Sequence, residues 1–73
     1  MRVKVKLFAS FREGRFVEED REYAPAATVS DVVSDLAIEG KVAIIFLNGR
    51  HARQDQPLSS GDTLALFPPV GGG

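Results

Sequence analysis

Seventy-three residues, 44% of them apolar and 26% charged, are enough to close one small core and exclude a second domain or a deep active-site pocket. Nine basic residues stand against ten acidic ones, scattered along the chain, so the cationic face that nucleic-acid binding needs is not expected. No cysteine is present, which removes disulfide staples, thiolate metal sites and a catalytic thiol. The longest apolar run, Val42 to Leu47, is too short to cross a membrane. No signal peptide fits the N-terminus, and a cytoplasmic protein without a membrane partner is expected.

Val3, Val5 and Leu7 alternate with Arg2, Lys4 and Lys6, the period of two that gives a strand one apolar face. Ser10 and Gly14 break the alternation between Ala9 and Arg15. Phe16 to Tyr23 then resumes as an extended, charged segment, so a hairpin with a polar edge strand is expected. Glu18, Glu19, Asp20, Arg21 and Glu22 would discourage that edge from pairing with another chain. Pro25 stops the strand. Thr28 can cap a helix starting near Val29, with Asp31 at its positive end. Val29, Val32, Val33 and Leu36 form one apolar stripe, Ser30, Ser34 and Asp35 face water, and Gly40 is the expected terminator.

Val42 to Leu47 is apolar on both faces, as in a strand buried mid-sheet or carrying an interaction surface. Asn48-Gly49 follows, a dipeptide that accepts positive φ at both turn positions, and it returns the chain through Arg50 to Arg53. Pro57, Ser59, Ser60, Gly61 and Asp62 make a turn before the last strand, Thr63 to Phe67, whose Leu64 and Leu66 point inward. This order predicts an α+β fold. A mixed sheet of four to five strands, the first and last parallel in its middle, carries one main helix across it, the outline of a β-grasp or ubiquitin-like domain over residues 1–67.

Residues 68–73 read as a flexible tail, Pro68-Pro69-Val70-Gly71-Gly72-Gly73. Two prolines favour a stiff polyproline exit, and three glycines make a thin tip without side chains. At roughly 3.3–3.6 Å per residue such a segment reaches about 20 Å, enough to thread into another protein. A frayed terminus would look similar.

Leu66-Phe67-Pro68-Pro69-Val70-Gly71-Gly72-Gly73, preceded by Leu58-Ser59-Ser60-Gly61-Asp62 and Leu47-Asn48-Gly49, resembles the MoaD/ThiS family of ubiquitin-like sulfur carriers. Leu7-Phe8-Ala9-Ser10-Phe11-Arg12-Glu13 is similar to the same family, particularly to the small subunit of molybdopterin synthase. The resemblance implies a carrier that is not an enzyme by itself and binds no cofactor. An E1-like enzyme would use ATP to adenylate the carboxylate of Gly73, and sulfur from a persulfide donor would replace AMP. The resulting thiocarboxylate would be delivered to a large synthase subunit, with Pro68, Pro69, Val70, Gly71 and Gly72 lining up in the partner's tunnel. The Phe67-Pro68-Pro69 exit matches molybdopterin carriers, whereas Gly71 and the short Glu39-Gly40-Lys41 connection resemble carriers of the thiamine pathway. A protein modifier using the same activated terminus, or a plain β-grasp binding module, are the other readings.

If Ile45 and Leu47 point at the helix, Phe8, Phe46 and Phe67 share the open sheet face and form a partner interface. A register shifted by one residue would put these rings in the core instead. Arg12 and Glu13 could supply polar rim contacts or a solvated loop pair. His51, alone among residues of its type, is expected on the surface, and no metal site is expected.

Overall fold

The computed structural model describes residues 1–69. Five strands form one mixed sheet: β1 (Arg2–Leu7), β2 (Glu18–Glu22), β3 (Ile44–Leu47), β4 (Arg50–His51) and β5 (Thr63–Phe67), in the order β2-β1-β5-β3-β4. β1 and β5 run parallel, with Val5 beside Leu64 and Leu7 beside Leu66, while β2, β3 and β4 pair antiparallel to their neighbours. The alternation in β1 is therefore realised in space. Val3, Val5, Leu7, Leu64 and Leu66 are fully buried on one face, and Lys4, Lys6, Thr63 and Ala65 stand on the other. The fold is the β-grasp expected from the element order.

The one α-helix among the described residues, α1 (Val29–Asp35), packs Val29, Val32 and Val33 onto the apolar face, joined by Leu36, Ile38, Ile45 and Leu58. At its start, the Asp31 carboxylate accepts from the Thr28 amide at 2.8 Å and the Thr28 hydroxyl at 3.3 Å. The Val29 and Ser30 amides donate to the carbonyls of Gln56 and Gln54, so the loop before β5 supplies the remaining caps.

Gly40 does not end the helix. Ala37 takes the left-handed conformation at φ +58°, its amide bonds Ser34 O at 3.0 Å, and the Ile38 amide reaches back to Val33 O at 3.2 Å. That pair of bonds is a Schellman closure, sealed by fully buried Ile38, and Gly40 makes a second left-handed turn after it. The strand limits also tighten. β2 begins at Glu18 instead of Phe16, β3 at Ile44 instead of Val42, and β4 stops at His51 instead of Arg53. The first loop holds a 3-10 turn over Ala9–Arg12 that drives Phe11 into the core. Among the described residues, no helix is long and apolar enough to cross a membrane.

Candidate functional site

β3 alternates as its position in the sheet demands. Ile45 is buried, Leu47 packs against the core, and Phe46 turns to the open face opposite Ala65. The one-residue shift is thus excluded, and Phe8, Phe46 and Phe67 come together on the open face. Phe8 follows β1, and the left-handed Ala9 (φ +52°) turns the chain there, so Phe8 stays outside while Phe11 goes in. The Phe8 and Phe67 rings stack 4.2 Å apart at 11°, and Phe46 meets Phe67 edge-on at 5.8 Å. His51, exposed on β4, sits edge-on to Phe46 at 4.6 Å.

Arg12 has two attachments. Its Nε donates to Leu7 O at 2.7 Å, and its guanidinium carbon lies 5.1 Å from the Phe8 ring centre. The residue braces Phe8 from outside while facing solvent. Glu13 is exposed, and its amide donates to Ser10 O. Between the rings runs a shallow groove lined by Lys6, Phe8, Phe46, Gly49, Thr63 and Ala65. Across β1 and β2 the same face becomes ionic, with Arg2 on Glu22 at 3.2 Å and Glu18 shared by Lys4 and Lys6 at 3.6 and 3.8 Å. These exposed pairs contribute little stability. They do divide the face into an aromatic half and a polar half.

Pro68, half-buried, and exposed Pro69 follow directly from Phe67, so the chain leaves the sheet beside the stacked rings. Val70, Gly71, Gly72 and Gly73 lie outside the described residues. No group of three or more His, Asp and Glu among the described residues could hold a metal ion.

A second polar cluster had no clear sequence signal. The Arg21 guanidinium donates to Asp35 of α1 at 2.9 Å, to Tyr23 Oη at 3.1 Å and to Glu19 at 3.1 Å, and it covers the Phe16 ring at 5.4 Å. Tyr23 also donates to Asp35 at 3.1 Å. Burial pushes the Tyr23 phenol above its ordinary range, against the opposing pull of the Arg21 bond and with further help from Asp35. For Arg21 burial works downward, but the bonds to Asp35 and Tyr23 outweigh it and hold the group charged. The only hint was a lone basic residue in an acidic strand.

The ThiS family model matches residues 5–73, almost the whole chain. The chain belongs to the ThiS family. Its solved neighbours agree with that placement. A putative molybdopterin converting factor subunit 1 from Pyrococcus furiosus shares 32% identity at a TM-score of 0.80, covering 96% of this chain and 99% of its own. SAMP1 from Haloferax volcanii shares 27% at 0.77, covering both chains fully. A complex of subunits 1 and 2 of molybdopterin-converting factor from Helicobacter pylori contains a chain with the same fold, at 24% identity, a TM-score of 0.66 and full coverage of both chains. None of the curated proteins matches. As a ThiS-family β-grasp chain, the protein stands with ThiS/MoaD-like sulfur carriers and ubiquitin-like small modifiers, which are small carrier proteins.

Proposed function

We propose that this ThiS-family chain is a sulfur carrier for molybdopterin formation, in which residues 1–67 present the tail 68–73 and the carboxylate of Gly73 is the reacting group. The observation that supports this reading is that the family match spans residues 5–73, the Gly71-Gly72-Gly73 tip included, and that the chain leaves a strand end ringed by aromatic side chains. A free α-carboxylate titrates near roughly 3.3–3.7, is ionised in the cell and resists nucleophilic attack. Adenylation by an E1-like enzyme with ATP turns it into a mixed anhydride with AMP as leaving group. The terminal sulfur of a persulfide donor then bonds to the carbonyl carbon as AMP leaves, giving an acyl disulfide, and a second thiol cleaves its S–S bond to release the thiocarboxylate and leave the donor as a disulfide. The carrier contributes position. A backbone tip without side chains passes a narrow tunnel, where exclusion of water protects the product from hydrolysis.

Phe67, Phe46, Phe8 and Arg12 supply the docking surface in this proposal, for the activating enzyme and for a large synthase subunit in the cytoplasm. The Pyrococcus neighbour, described as subunit 1 of a molybdopterin converting factor, favours that second partner. Incubation with an E1-like enzyme, ATP and a persulfide donor, followed by intact-mass analysis, tests the reading. Replacement of one oxygen by sulfur on the C-terminal peptide is expected, and an unchanged mass overturns it. The similarity to SAMP1 favours a second use of the same adenylate, an isopeptide bond to lysines of other proteins. A ladder of conjugates on denaturing gels would mark that use.

A further inference from the structure

The Asn48-Gly49 turn is held by an arrangement that the carrier chemistry does not need. The Asn48 carboxamide is fixed at both ends: Oδ1 accepts from the Thr63 amide at 2.9 Å, and Nδ2 donates to Asp62 Oδ1 at 2.9 Å. The other oxygen of Asp62 is itself fixed by the Ser59 amide at 2.7 Å, and the Asn48 amide bonds Thr63 O at 2.8 Å. Gly49, next in the chain, is exposed, with open space where a side chain would stand. An asparagine before a glycine is the arrangement in which that nitrogen can close on the side-chain carbonyl carbon. It does so only if the carboxamide is free to turn.

We propose that Asn48 is a latent self-modification site, kept shut by Asp62 and the Thr63 amide and converted when that brace opens. In the open state the Gly49 nitrogen loses its proton to solvent base and bonds to Cγ of Asn48. The Cγ–Nδ2 bond breaks and ammonia leaves, giving a five-membered imide. Water then opens the ring at either carbonyl, producing an aspartate or an isoaspartyl linkage at position 48. The change is not reversed by closing the brace. A carboxylate would face Asp62 where an amide donor stood, replacing attraction with repulsion. Because Gly49 lines the groove with Phe8 and Phe46, conversion also alters the aromatic face.

The test needs only the full chain, held at mildly alkaline pH and sampled by peptide mass mapping and isoaspartyl detection. Slow conversion is expected for the folded wild type, and conversion several-fold faster for Asp62→Ala or for the wild type in urea. Asp62→Asn keeps one of the two acceptor oxygens, so its rate should fall between those of the wild type and Asp62→Ala. Folded Asp62→Ala converting at the wild-type rate overturns the proposal. If Asp62→Ala does not fold, the wild type decides alone, since equal rates with and without urea overturn it too.

Discussion

Ala37 closes α1 in a left-handed backbone that an L-residue with a Cβ adopts at a cost of roughly 1–2 kcal/mol. Glycine would remove that cost but lose more freedom on folding, which takes back about 0.4–1 kcal/mol. Ala37→Gly should therefore stabilise the domain by about 0.5–1 kcal/mol, read as a shift in urea midpoint at constant slope. Ala26, at φ +71° in the Ala24–Ala27 turn after Pro25, is a second position of the same kind. Neither was legible in the sequence, because alanine gives no local signal for a left-handed turn and only the packing of Ile38 and Ala27 demands it. The opposite substitution matters in the tail. Gly72→Ala or Gly73→Ala should leave the thermal midpoint unchanged and lower the yield of thiocarboxylate, since in the proposed function a methyl group would obstruct the partner's tunnel. Unchanged loading would remove the tunnel from the account.

At the scale of elements, β2 sits at the sheet edge and is tied to α1 through Arg21, Tyr23 and Asp35. The raised Tyr23 phenol makes this tie dependent on pH. A native group that holds its proton more tightly than the unfolded chain adds stability that is present below the ordinary tyrosine range near 10 and lost as pH rises through the higher native value. Urea unfolding of the wild type should weaken above about pH 10 more than that of Tyr23→Phe. The aromatic cluster should respond differently. Phe67→Ala removes a half-exposed ring and its stacking, costing the free domain about 1–2 kcal/mol, whereas loading by the E1-like enzyme should fall much further. Equal loading at matched folded fraction would take docking away from this face. β1 and β5 were legible because Val3, Val5, Leu7, Leu64 and Leu66 alternate with other residues, whereas β3 is apolar on both faces and only its pairing with β5 puts Ile45 inside and Phe46 outside. The Arg21 tie and the brace of Arg12 on Phe8 were not legible, since each joins residues that only tertiary structure brings together.

The whole molecule has its helix-side core on one face, an aromatic half-face on the other, and an exit beside that half-face from the strand at the centre of the sheet. β5 is paired on both sides, and at its far end Leu7 of β1 lies beside Leu66 and Ile44 of β3 beside Phe67, so the strand is held on both edges up to the point where Pro68 begins. A central strand resists the local opening that would let its end wander. Pro68 and Pro69 therefore leave the sheet at a fixed place beside the rings, and in the proposed function docking of the domain would raise the local concentration of the terminus at a partner's reaction centre. This division separates docking from chemistry in a measurable way. Amidation of the Gly73 carboxyl group should leave affinity for the E1-like enzyme near that of the unmodified chain while abolishing pyrophosphate release and sulfur loading. A charge-reversing Arg12→Glu change should do the reverse, weakening affinity while saturating enzyme still loads the terminus. If the amidated chain still supported sulfur transfer, the reacting group would have to lie elsewhere, and the aromatic face would be a binding surface with no carrier function behind it.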